Sequence, residues 1–180
     1  MLFSFPLYAD YHGLCSTPVP TGEGPVQGRS EPVHAACAWK GVPFAAPPVG
    51  DLRLRPPRPA LPREGVFEAF EYGPACPQDE TIHSGGEVER KDEDCLTLNI
   101  WAPAKSGTFP VMFWIHGGGF KQGSGTYEMS SGARLAAERE VVVVTMDYRV
   151  GALGFLALPE LRAEDEHGST GNYGLLDQIQ

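Results

Sequence analysis

Two short runs in this chain carry no polar side chain: Val111-Met112-Phe113-Trp114-Ile115 and Val141-Val142-Val143-Val144. A strand with one wet face alternates apolar and polar residues, so an unbroken apolar run predicts a strand covered on both faces, as in a parallel sheet. Between the runs, residues 130–140 predict a helix. Ser130 stands at an N-cap position, and Ala133, Leu135, Ala136 and Ala137 fall among charged residues. Strand, helix, strand makes a βαβ unit, so the expected fold class is α/β with a mostly parallel central sheet. Upstream, Leu96-Thr97-Leu98-Asn99-Ile100-Trp101 has the two-residue period of a half-buried strand. A further helix is expected from Asn172, where Leu175, Leu176 and Ile179 share one face.

The first 65 residues read differently. Pro18-Val19-Pro20, Ala46-Pro47-Pro48-Val49-Gly50 and Arg55-Pro56-Pro57-Arg58-Pro59 break helices and favour extended backbone and turns. Such text also suits a partner-binding linker. Trp39, Val42, Phe44, Val49, Leu52 and Leu54 are anchors enough, however, to favour docking onto a core, with short strands around 36–42. Residues 79–94, centred on Ser84-Gly85-Gly86, read as an exposed polar loop.

Composition narrows the function classes. At 180 residues and 42% hydrophobic, the chain has material for one core, since a domain of this size buries about 70% of its unfolded surface. Lys and Arg number 14 against 23 Asp and Glu, a net charge of −9 with no basic block, which argues against nucleic acid. No stretch approaches the roughly 18 apolar residues of a membrane span. The apolar opening Met1 to Tyr8 lacks a basic flank and soon reaches Asp10 and His12, so a secretory leader is not expected. The compartment, cytoplasmic or secreted, stays open. Cys15, Cys37, Cys76 and Cys95 are too sparse for a disulfide scaffold and show no C-x-x-C zinc spacing; no metal or organic cofactor is expected.

The segment richest in chemistry is His116-Gly117-Gly118-Gly119-Phe120, directly after the first apolar run. Consecutive glycines cost backbone entropy but let peptide N–H groups approach a bound group with no Cβ in the way. Amides aimed at one point stabilise an oxyanion in acyl transfer, where one donor is worth about 10²–10³ in rate. A phosphate cradle, with Asp147 as a ribose-binding acid, is the rival reading. Neither G-x-G-x-x-G nor the P-loop pattern fits the glycines, and the expected helix starts about ten residues later. A loose, ligand-free connection is the third. His116 closes the strand and is read as supporting the loop rather than as a base; His12, His34, His83 and His167 show no ligand spacing.

Several segments together resemble the type B carboxylesterases, a family that also holds cholinesterases, p-nitrobenzyl-type esterases and the non-catalytic neuroligins. They are Gly41-Val42-Pro43-Phe44-Ala45 with Pro47 to Leu54, Gly73 to Gln78, Glu93 to Ile100, His116 to Phe120, Asp147 to Leu156, and Gly171 to Gln178, in that order. The resemblance implies the N-terminal part of an α/β-hydrolase, a single partial domain over 1–180 with an irregular segment at 1–35 and the family-like region at 36–180. It implies hydrolysis of small carboxylic esters by a serine, histidine and acid triad, the serine in a G-x-S-x-G elbow. No serine here has glycine at both positions: Ser30 has Gly28 but Pro32, and Ser84 has Gly86 but Ile82. The elbow is therefore expected beyond Gln180, in a missing C-terminal portion, with no catalytic triad residue in this chain; a misplaced nucleophile would be sought at Ser124 or Ser169.

Carried over residue by residue, Gly118 and Gly119 match the family's oxyanion-hole glycines and Phe120 a residue bordering the substrate pocket. Cys76 and Cys95 match a disulfide pair closing a surface loop, which leaves Cys15 and Cys37 expected to be unpaired. Thr97 stands where an aromatic is common, Leu54 replaces a usual Phe, and no Trp precedes Gly65-Val66. These departures touch packing. A non-catalytic binding module on the same fold, or an inactive fragment, is the competing reading.

Overall fold

The computed structural model describes residues 11–79 and 90–180, so the centre of the 79–94 loop, with His83, and the apolar opening lie outside the described residues. The strands are β1 (Val26–Gln27), β2 (Arg29–Ser30), β3 (Ala36–Pro43), β4 (Phe67–Glu68), β5 (Thr97–Pro103), β6 (Val111–Ile115) and β7 (Val142–Met146). The helices are α1 (Tyr11–Ser16), α2 (Ala133–Arg139), α3 (Gly151–Phe155), α4 (Pro159–Glu164) and α5 (Tyr173–Ile179). Five strands form one sheet in the order β2-β3-β5-β7-β6, while β1 and β4 pair separately.

The βαβ unit exists: β6 and β7 run parallel in register from Val111 opposite Val142 to Ile115 opposite Met146, with α2 between them in sequence. The other neighbours in the sheet pair antiparallel, so the sheet is mixed and its parallel part among the described residues is this one pair. Alternation in β5 is strict, with Thr97, Asn99, Trp101 and Pro103 buried and the residues between them partly exposed. Trp101 packs with Ala36, Ala38, Val143 and the α2 residues Ala133 and Ala136. The approach of α2 is set by Gly132, where a Cβ would press into Val143 and the Trp101 ring. A second cluster, Leu96, Met146, Tyr148, Val150 and the Cys76–Cys95 pair, fills the region toward α3.

Strand β3 shifts register between Trp39 and Val42. Gly41 makes that irregularity possible: its φ is +67°, and a Cβ there would meet the backbone of Glu71 and Gly73. At the far end, Arg149 and Asp177 are both buried and form a two-pronged ion pair, Nη2 to Oδ1 at 2.6 Å and Nε to Oδ2 at 2.8 Å. The Arg149 backbone N–H also donates to Asp177 Oδ2, and its Nη1 donates to the Arg55 carbonyl. That knot joins the start of α3, helix α5 and the Pro-rich wrapping.

Four expectations change. The helix of 130–140 is shorter, and Ser130 is not its cap: its hydroxyl lies 2.6 Å from the Tyr127 carbonyl and 3.1 Å from that of Gly125, serving the turn before the helix. Cys15 and Cys37 are not free; they form a disulfide with Cα atoms 5.0 Å apart, because α1 lays Cys15 on β3 beside Ala104. Strand β6, expected to be covered on both faces, is exposed at every residue, between 37% and 65%. It is the edge of the sheet, and α2 leans instead on β3, β5 and β7. Two short helices, α3 and α4, occupy text that announced neither. The Cys76–Cys95 disulfide is present, with Cα atoms also 5.0 Å apart.

Candidate active site

The glycine loop leaves the carboxyl end of β6 and must turn at once, because β6 is parallel to β7 and its chain has to return to α2. His116 is buried, its ring stacked on Tyr148 with centroids 4.2 Å apart, and the Tyr148 hydroxyl donates to the His116 carbonyl at 3.0 Å. The His116 Nδ1 lies 2.9 Å from the Gly117 carbonyl, which only accepts, so Nδ1 carries the proton. Burial lowers the His116 pKa, leaving a neutral ring whose Nε2 has no hydrogen-bond partner among the described residues. This histidine faces its own loop.

Gly118 has φ +122°, and a Cβ on it would run into the Gln122 carbonyl oxygen. Gly119 (φ +60°) and Phe120 (φ +62°) are the central residues of a turn closed by the Lys121 N–H donating to the Gly118 carbonyl at 3.1 Å. Two consecutive positive φ values define the mirror-image turn, which favours Gly in the first place and strains Phe in the second by about 1–2 kcal/mol. The strain is held by the Gly151 N–H, which donates to the Phe120 carbonyl at 2.6 Å, and by the Phe155 ring, 4.8 Å from that of Phe120. Space around the Gly119 Cβ position is open. No acceptor among the described residues takes the N–H of Gly118 or Gly119. Two neighbouring amides thus have no acceptor among the described residues. A groove of about 610 Å³ runs along the α2 side of β6, past Met112 and Trp114, and ends at Gly117 and Gly118.

Behind the loop the backbone is tied down. The Gly125 carbonyl accepts from Thr145 Oγ1 at 2.8 Å and lies 3.4 Å from Asn99 Nδ2, while the Gly125 N–H donates to Asp147 Oδ1 at 3.2 Å. Asp147 is fully buried and its Oδ2 meets no donor among the described residues. Burial pushes its pKa up to about 7, against the Ser124 hydroxyl and Gly125 amide that favour the ionised form. A carboxyl sealed in this way is closed to a ribose, and the glycine run does not open α2, so the phosphate-cradle reading has no geometric support. Ser124 is buried and bonded to Thr126 through its Oγ, and Ser169 is exposed with its N–H on Asp165. Neither hydroxyl has an imidazole partner. Among the described residues no three His, Cys, Asp or Glu side chains group as metal ligands, and no helix is long and apolar enough to cross a membrane.

Sequence reasoning set Gln78 inside a motif without giving it a task. Its carboxamide spans the loop backbone: the Gly123 N–H donates to Oε1 at 2.7 Å and Nε2 donates to the Gly123 carbonyl at 2.9 Å. The pattern Cys-Pro-Gln beside a disulfide was the signal available.

The carboxylesterase family model matches residues 16–180. The fumonisin B1 esterase of Sphingopyxis macrogoltabida is 46% identical over 161 residues, which is 88% of this chain and 29% of that protein. The para-nitrobenzyl esterase of Bacillus subtilis is 43% identical over 163 residues, 89% of this chain and 32% of the relative. A solved PNB esterase structure superposes with a TM-score of 0.81 at 42% identity, covering 91% of this chain and 33% of its own. The chain therefore spans about a third of the length of the proteins it matches. Family model, identity and superposition agree on one assignment, with the glycine loop inside the matched region: this chain belongs to the carboxylesterase family and carries part of its α/β-hydrolase fold.

Proposed function

We propose that this chain supplies the oxyanion-binding half of a carboxylic-ester hydrolase that works through a serine acyl-enzyme. The observation that carries the reading is the pair of acceptor-free amides at Gly118 and Gly119, at the carboxyl end of an apolar strand. In this mechanism a serine Oγ attacks the ester carbonyl carbon as its proton passes to a histidine. The carbonyl oxygen becomes an oxyanion that takes the two N–H groups; the alcohol then leaves with the proton, and water releases the acid by the same route in reverse. Serine, histidine and acid belong to the portion beyond Gln180, and the uncovered β6 is where that portion docks. His116, neutral and bonded to Gly117, holds the loop as a support. Phe120, half exposed at the rim, borders the substrate.

The test is Gly119→Val in the enzyme that includes the nucleophile. The Cβ site is open, but φ at Gly119 is +60° and strains a β-branched residue, so the melting temperature is read beside kcat to separate a lost fold from lost amides. The expected result is a fall in kcat of about 10² or more on a p-nitrophenyl ester, with labelling by a serine-directed phosphonate still detectable. Unchanged turnover refutes the oxyanion assignment. Absence of any labelled serine in the unsubstituted protein would instead favour the binding-module reading.

A further inference from the structure

We propose that Gln78, at the foot of the loop closed by Cys76 and Cys95, is a positioning residue that sets the geometry of the glycine loop. Its kinetic consequence rests on the esterase reading; its structural claim does not. The carboxamide makes three hydrogen bonds: Oε1 accepts from the Gly123 N–H, and Nε2 donates both to the Gly123 carbonyl and, at 3.1 Å, to the Cys76 carbonyl. Facing one residue's N–H and C=O at once, the side chain imitates a rung of a strand ladder. Only a primary amide offers donor and acceptor in this arrangement; an ionised Glu keeps the acceptor alone, and Met of similar length keeps neither.

What Gln78 grips lies against His116 and Gly117, the residues that lead into the two amides. Gly123 has φ +121°, and a Cβ on it would strike the His116 ring and the Gly117 carbonyl oxygen, while a Cβ on Gly118 would strike the carbonyl of Gln122. Backbone and the stacked His116 ring are in close contact there, which leaves little room to absorb a displacement. A movement of Gly123 is therefore passed to Gly117 and Gly118. Side chains of Asn99, Thr145, Asp147 and Ser130 tie the same stretch down at Gly125. Gln78 reaches Gly123, two residues earlier, and is itself fixed: Cys76 is buried and bridged to Cys95, and Lys91 Nζ donates to the Gln78 carbonyl at 3.2 Å. The disulfide loop thereby does more than close on itself; its base is one wall of the mould for the amides.

The test compares Gln78→Met and Gln78→Glu in the full-length enzyme. Gln78→Met is expected to lower kcat about 10- to 100-fold with KM changed less than about threefold, because displaced donors lose the transition state before they lose the ester. Affinity for a trifluoromethyl ketone, whose hydrate anion needs the same amides, falls in parallel. Gln78→Glu carries a signature that a merely structural role does not. Once protonated, its carboxyl can donate to the Gly123 carbonyl, so the ratio of its kcat to that of the unsubstituted enzyme rises as pH falls from about 8 to 5. Amide hydrogen exchange over 117–125, read on the same proteins, is faster in Gln78→Met and unchanged in β5. Full kcat in Gln78→Met, a loss that only tracks a lowered melting temperature, or unchanged exchange over 117–125 overturns the proposal. Should the unsubstituted protein turn over no ester, the exchange result alone decides the clamp, and the esterase reading fails separately.

Discussion

Strands β6 and β7 lie side by side, are built from the same kind of residue, and have opposite surroundings. Val143 and Val144 of β7 are 2% and 9% exposed, whereas Phe113 of β6, paired with Val144, is 50% exposed. The difference lies in position: β7 has β5 on one side and α2 against it, while β6 has a neighbour on one side only. Apolar composition thus states that a strand is meant to be covered; it does not state by what. The groove along β6 ends at Gly118, whose amide has no acceptor among the described residues.

Paired substitutions probe this contrast hardest. Val144→Asp places an unpaired charge in a filled core and is expected to abolish folding, at a cost above about 4 kcal/mol. Phe113→Asp in the 180-residue chain is expected to leave stability within about 0.5 kcal/mol and to raise solubility, because an exposed flat apolar edge promotes association. In a version extended to the length of the relatives, the same change is expected to be as harmful as Val144→Asp. Soluble yield and denaturant unfolding of both lengths measure this, and equal tolerance of Phe113→Asp in both would mean that β6 stays an edge. The 180-residue chain alone is also expected to show no specific p-nitrophenyl acetate hydrolysis.

The next effect belongs to the finished side. Asp177→Ala leaves the buried Arg149 guanidinium without its carboxylate and should cost about 3–5 kcal/mol, read as a lower midpoint in urea. A loss below 1 kcal/mol would show the knot to be open to water.

A smaller effect is the pH dependence set by Asp147. Its carboxyl has a pKa of about 7 in the folded chain and an ordinary value near 3.9 when unfolded. Between these values the folded state holds the proton and the unfolded state does not. Stability is therefore full at about pH 4, declines as pH rises toward 7, and is flat above; the full span is at most about 4 kcal/mol. Asp147→Asn should flatten that slope. A full-length protein whose melting temperature falls equally with and without the substitution over this range would contradict the assignment.

Much of this was legible. The strands of the βαβ unit and the alternation of β5 follow from periodicity, and the glycine run drew attention to its amides because three consecutive glycines cost more entropy than an ordinary turn needs. Other features were hidden for physical reasons. Helix α3 starts at Gly151 with φ +58° and is five residues long, too short for an amphipathic period, and α4 begins with Pro159, which reads as a breaker until its first-turn position is known. The Cys15–Cys37 bridge depends on α1 docking on β3, a long-range contact with no local signature. Burial of Asp147 and Gln78's grip on Gly123 arise only when segments distant in sequence meet.

The knot around Arg149 also orders events in time. Arg55, whose carbonyl it uses, precedes it by 94 positions, but Asp177 follows it by 28. On a ribosome adding about 5–20 residues per second, the guanidinium waits roughly one to six seconds for its carboxylate to be made. Until then the start of α3 cannot close without stranding a buried charge, so the nascent chain gains by keeping this corner hydrated while β3, β5 and β7 assemble.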